Sequence, residues 1–122
     1  MSKQTVLIVE DDPWLAEQQE RVLIKAGYKA SVSPHAEAAI DAIDDVHPDV
    51  IILDMLLTGS TAFALMHELQ SYGDTGAIPI ILCTNLAADI KLEDVKPYGV
   101  RRILDKTVMA LDDVVTAVRS VL

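Results

Sequence analysis

Apolar residues along this chain follow two rhythms. Val6-Leu7-Ile8-Val9 and Val50-Ile51-Ile52-Leu53 are unbroken aliphatic runs, and both stop at acids: Glu10-Asp11-Asp12 after the first, Asp54 after the second. Runs of this length and composition predict strands buried on both faces, as in a parallel sheet. Between them the spacing becomes helical. Pro13 suits a first helical turn, Leu15, Val22, Leu23 and Ala26 form an apolar face, and Gly27 ends the helix. Residues 28–32 read as a more polar strand near an edge, and Ser33-Pro34 opens a second helix carrying Ala36, Ala39, Ile40 and Ile43. Ser60 or Thr61 caps a third, with Phe63, Leu65, Met66 and Leu69. A turn at 73–76 leads to a strand at 78–83, with Pro79 near its start where a missing donor is tolerated. Residues 86–95 predict a short helix stopped by Pro97 and Gly99, then a strand at 100–104 and an amphipathic helix at 109–122.

Five strands and five helices thus alternate strictly. Short connections between parallel strands force right-handed crossovers, so the expected fold is α/β, a three-layer sandwich around a five-stranded parallel sheet. The chain of 122 residues reads as one domain, 1–122. Aromatics make up 4% of it, so the core must be built mainly from Val, Ile, Leu and Ala.

Charge narrows the partners. A net charge of -9 argues against direct binding to nucleic acid or an anionic membrane, both of which reward Lys and Arg. No apolar run approaches the roughly 20 residues of a membrane span. The lone Cys83 cannot form an internal disulfide, and no leader pattern precedes the first strand; both fit a cytoplasmic protein.

In an open α/β sheet, ligands bind beyond the carboxyl ends of the strands. There this layout gathers Glu10, Asp11 and Asp12 from the first strand, Asp54 from the third, Thr84 from the fourth and Lys106 from the fifth. Crowded carboxylates repel, and a hard divalent cation relieves them. A carboxylate nucleophile, a metal, an ammonium and a hydroxyl at one edge suit phosphoryl transfer. Blander readings stand beside this one. Asp54 can simply end a strand, Glu10 to Asp12 can cap a helix, Thr84 and Lys106 can be ordinary strand and surface residues, and His35, His47 and His67 read as solvated. Asp12, before Pro13, is assigned to capping rather than to the metal.

With these residues in view, the chain resembles the receiver domain of bacterial two-component response regulators. The resemblance rests on Val6 through Asp12, Pro48 through Asp54, Ile78 through Thr84, and Gly99 through Lys106, in the family's order and spacing. It implies a flavodoxin-like sheet of order 2-1-3-4-5. It implies that Asp54 accepts a phosphoryl group from a phosphohistidine on a sensor histidine kinase or phosphotransfer protein. Mg²⁺ would be held by Asp11, by Glu10 through water, by Asp54 and by the backbone carbonyl of Leu56. Thr84 would donate its hydroxyl to the phosphoryl group and act in the switch, and Lys106 would pair with Asp54 and then with the acyl phosphate. Such a domain catalyses its own phosphorylation and dephosphorylation rather than turning over small substrates.

The chain also departs from the family. Thr107 follows Lys106 where a cis proline is usual, and since a non-prolyl cis bond costs about 2.5–4 kcal/mol, a trans bond is expected. Thr58 and Thr61-Ala62 replace the usual residues of the loop after Asp54. Ile103 stands where many receivers carry a switch Tyr or Phe, so the output relay is expected to be altered. Arg101-Arg102 replaces acids of the dimer face used by winged-helix regulators, so that paired-charge dimer is disfavoured, while a homodimer of another kind stays an open alternative. Leu56 and Leu86 border the path of the hydrolytic water in the family, and two leucines predict slow loss of phosphate. The rival function is a degenerate receiver serving as a phosphorylation-independent binding module. An aspartyl-nucleophile phosphatase is disfavoured because Leu56 sits where that class has a second acid. A primase-type metal enzyme is disfavoured because Asp54-Met55-Leu56 lacks its spaced acid pair, and a nucleotide-binding fold because acids and proline replace a glycine-rich loop.

Overall fold

The structure, a computed structural model, describes residues 3–55 and 62–122. Leu56, Thr58, Ser60 and Thr61, which carry an expected carbonyl ligand, loop departures and a helix cap, lie outside the described residues. The elements run β1 (Thr5–Val9), α1 (Pro13–Lys25), β2 (Lys29–Ser33), α2 (Ala36–Val46), β3 (Val50–Leu53), α3 (Ala62–Gln70), β4 (Ile80–Thr84), α4 (Leu92–Val95), β5 (Val100–Asp105) and α5 (Leu111–Val121). The sheet has the expected order β2-β1-β3-β4-β5, and every pairing is parallel. Because β1 is flanked by β2 on one side and β3 on the other, the connections leave it in opposite directions. That reversal opens a crevice at the carboxyl ends of β1 and β3.

Strand alternation splits the core between the two faces of the sheet. Leu7, Val9, Ile51, Leu53 and Leu82 pack with Ala39, Ile43, Leu65 and Met66 of α2 and α3. Val6, Ile8, Val50, Ile52 and Ile81 pack with Leu23, Val114 and Val118 of α1 and α5. The aliphatic runs of β1 and β3 are therefore needed on both faces, which is why neither shows a polar alternate. The edge strands β2 and β5 carry the polar and partly exposed positions instead.

Some expectations change. β4 begins at Ile80 and ends at Thr84, so Thr84 is its last residue rather than a flanking one. Residues 86–95 are not one helix. A 3-10 turn at Ala87–Asp89 is separated from the single turn of α4 by extended backbone at Ile90 and Lys91, and a second 3-10 turn at Lys96–Tyr98 follows α4 directly. Ile90 and Val95 turn to the core while Leu92 stays exposed, so no continuous helical stripe is buried, and Pro97 enters the second turn near its start, where its missing N–H costs nothing. The inward stripe of α1 is Ala16, Gln19 and Leu23, with Leu15, Val22 and Ala26 half-buried or flanking. His35 is not merely solvated: its Nδ1 accepts the Ala38 N–H at 3.1 Å and so caps α2. Asp12 caps α1 as expected, accepting from Trp14 and Leu15 backbone N–H groups at 3.0 and 3.3 Å.

Candidate functional site

Parallel pairing brings the strand ends level. Asp54 N–H donates to Val9 O at 3.1 Å and Glu10 N–H to Ser33 O at 3.1 Å, so the residues just past β1 and β3 stay tied to the sheet. Their side chains then share one edge. A carboxylate oxygen from each of Glu10, Asp11 and Asp54 lies within 4.8 Å of the others. Glu10 and Asp54 are buried, whereas Asp11 is exposed.

Lys106 reaches this cluster from the far side of β4. Its backbone N–H donates to Thr84 O at 3.1 Å, extending the β4–β5 pairing one residue past the strands. Its Nζ donates to Asp54 Oδ2 at 2.9 Å and also pairs with Glu10. The family resemblance implies the pairing of Lys106 with Asp54; the shared pairing with Glu10 was not anticipated. The following bond is trans, as a non-prolyl residue predicts. Asp105, also unanticipated, closes that turn by accepting from Thr107 N at 2.9 Å and Thr107 Oγ1 at 2.6 Å. These two bonds hold the Asp105 carboxyl below its ordinary pKa. An Asp two residues before a Thr is a common local turn pattern.

One ammonium facing several carboxylates sets the electrostatics. Burial, reinforced by Asp54, pushes the Glu10 carboxyl up to about 7, although Lys106 opposes the shift. Burial works against the charge on Lys106, but its hydrogen bonds to Asp54 and Glu10 outweigh this and raise its pKa. A pH dependence follows. The folded Glu10 pKa of about 7 exceeds the ordinary 4.5, so protonated Glu10 favours the native state. Its stabilisation is complete below about pH 4.5 and is lost as pH rises through about 7. In EDTA, urea unfolding is expected to show a decline of about 3 kcal/mol across that window. The Glu10→Gln variant should lack most of it, and an equal decline in that variant would reject Glu10 as the source.

Thr84 is fully buried, and its hydroxyl oxygen accepts the Leu86 N–H at 3.1 Å. Ile103 is half-buried and packs against the cluster under α2 and α3. Leu86 is partly exposed at the rim. Cys83 faces the other side of the sheet, touching Gln19 Nε2 and Met109 Sδ at 3.5 Å each. Burial pushes its thiol up to about 12, which makes it a packing residue.

The response regulator receiver domain model matches residues 6–119. The DNA-binding response regulator MtrA of Mycolicibacterium smegmatis is 33% identical over 67% of this chain and 35% of its own length. The transcriptional regulatory protein BaeR of Escherichia coli is 29% identical over 81% of this chain and 44% of its own. The chain thus spans less than half the length of these curated relatives. Among solved structures, the chemotaxis response regulator CheY4 of Vibrio cholerae superposes with a TM-score of 0.89 at 21% identity, covering 99% of this chain and all of its own. TrrA of Thermotoga maritima, solved in complex with Mg²⁺-BeF, gives 0.82 at 21% identity over 98% and 99%. Among the described residues no helix is long and apolar enough to cross a membrane. The sheet order, the acidic strand ends and the family model agree: this chain belongs to the response regulator receiver domains of two-component systems.

Proposed function

We propose that Asp54 accepts a phosphoryl group from a phosphohistidine on a sensor histidine kinase or histidine phosphotransfer protein. The observation that carries this reading is the meeting of three carboxylates, Glu10, Asp11 and Asp54, with the Lys106 ammonium 2.9 Å from Asp54. An Asp54 oxygen forms a bond to phosphorus as the phosphorus–nitrogen bond to the imidazole breaks, and the electron pair leaves with the ring nitrogen. Thr84 Oγ1 already accepts from Leu86 N–H, so its own hydrogen is the one it offers to a phosphoryl oxygen. Lys106 stands ready to follow the negative charge onto the acyl phosphate.

Three hard oxygen donors with more negative charge than one lysine balances fit Mg²⁺. Glu10, Asp11 and Asp54 would hold it, with the Leu56 carbonyl as a further expected ligand. Bound there, the ion neutralises charge on the phosphoryl oxygens. A protein of this fold has been solved in complex with Mg²⁺-BeF. The modified domain then signals through the β4–β5 side, to an output domain or protein. Ile103 gives that relay an aliphatic pivot with no hydroxyl to leave the core.

The test is incubation with acetyl phosphate and Mg²⁺, followed by intact mass measurement. The expected result is a gain of one phosphoryl group, absent in EDTA. Borohydride reduction of the acyl phosphate should then place homoserine at position 54. A gain that survives EDTA, or that maps elsewhere, overturns the assignment. Decay of the purified phosphoprotein is expected to be slow, and Leu86→Asn should speed it by giving the hydrolytic water a polar partner. Unchanged decay in that variant would remove Leu86 from the account.

A further inference from the structure

Halfway along α1, the stripe that faces the sheet contains a polar side chain. Gln19 lies between Ala16 and Leu23 and is 1% exposed. Its two neighbours on the stripe pack with Ile8, Ile52, Ile81 and Val114. The Gln19 Nε2 donates to Cys83 Sγ at 3.5 Å, and among the described residues its Oε1 has no hydrogen-bond partner. Exchanging the amide nitrogen and oxygen moves the deficit from one atom to the other and does not remove it. A thiol sulfur is a weak acceptor, so this one contact returns little of what burying an amide costs. Leucine has similar bulk and would carry no such deficit. Gln19 therefore weakens the fold where an aliphatic residue would strengthen it, and departures of that kind concentrate at functional positions.

Three parts of the site meet behind this side chain. The α1 helix follows Asp11 in the chain, and Cys83 immediately precedes Thr84. Cys83 Sγ touches Met109 Sδ at 3.5 Å. Met109 N–H in turn donates to Asp105 O at 2.9 Å and closes the turn that carries Lys106. The Cys83 thiol is near enough to feel the charges of Lys106, Glu10 and Asp54. We propose that Gln19 is a positioning residue. Through Cys83 and Met109 it fixes where the Lys106 turn sits against the end of β4, and so holds the Lys106 ammonium and the Thr84 hydroxyl in register for phosphoryl transfer to Asp54. The inference rests on the reading of Asp54 as phosphoacceptor. Gln19 itself touches no reacting atom, but a small displacement of groups that do is enough to slow a transfer step.

Gln19→Leu is expected to melt higher than the parent in EDTA, and to be phosphorylated about tenfold more slowly by saturating acetyl phosphate with Mg²⁺. Mg²⁺ affinity, read by titration calorimetry, should be unchanged, because Glu10, Asp11 and Asp54 keep their places. Gln19→Met, unbranched like glutamine, carries the same measurements if the leucine variant folds poorly. A double-mutant cycle with Cys83→Ala reads the route. If Gln19 acts through the thiol, the double variant is no slower than the slower single variant. Parental phosphorylation rates in both Gln19 variants, a lower melting temperature in both, Mg²⁺ affinity that falls along with the rate, or slowing that adds in the double variant each overturn the proposal and leave Asp54 as the acceptor. Failure of the parent to take phosphate from any donor overturns the role of Asp54, and the proposal falls with it.

Discussion

Asp54→Asn is expected to take up no phosphoryl group and, in EDTA, to melt at a higher temperature than the parent. The two effects share one cause. Asp54 is 4% exposed and Glu10 3%, and both lean on the single ammonium of Lys106. Above about pH 7, where Glu10 is ionised, two buried anions per cation leave a surplus that folding must bear. An amide at position 54 removes the nucleophilic charge and leaves Lys106 and Glu10 balanced one to one. Relief of like-charge repulsion should raise stability by about 1–2 kcal/mol, or about 5 °C in melting temperature for a domain this size. Mg²⁺ should correspondingly stabilise the variant less than the parent. Intact mass after acetyl phosphate and calorimetry in EDTA read the two halves separately. A variant that still gains phosphate moves the acceptor elsewhere, and one that melts lower makes Asp54 a net structural asset.

How far this site could be read from the chain depends on which forces placed each residue. Glu10, Asp11 and Asp54 were legible because strand ends are set by the aliphatic runs before them, and a parallel sheet aligns those ends. Thr84 and Lys106 followed from the same logic. The second partner of Lys106 was not legible, because whether a flexible side chain touches one carboxylate or two depends on a fraction of a turn in its torsions. Gln19 was missed for a different reason. Periodicity counts apolar positions, and here a polar side chain occupies the inward stripe of α1 against Cys83. The broken segment around α4 resisted reading because extended backbone at Ile90 and Lys91 interrupts the helix, and its course is set by long-range contact with β5 and α3. Fold was thus carried by hydrophobic pattern, and the fine electrostatics by long-range geometry that pattern does not encode.

Lys106→Met tests the opposite side of the charge balance, and the expected loss is large. The lysine side chain is 12% exposed and is the cation that joins Glu10 to Asp54. Methionine keeps most of the stem's packing and removes the charge, so what changes is electrostatic. Leaving buried carboxylates without their partner should cost about 3 kcal/mol at pH 8, or about 10 °C in melting temperature. The cost should shrink toward pH 5, because Glu10 then takes a proton and two of the repelling charges become one. It should also shrink when Mg²⁺ is added, since the ion and the ammonium draw on the same oxygens. For that reason the variant is expected to bind Mg²⁺ more tightly than the parent, although it lacks a residue of the site. Titration calorimetry and melting curves at both pH values separate these effects. A uniform loss of stability at every pH, with Mg²⁺ affinity unchanged, would show that Lys106 acts through packing and not through charge.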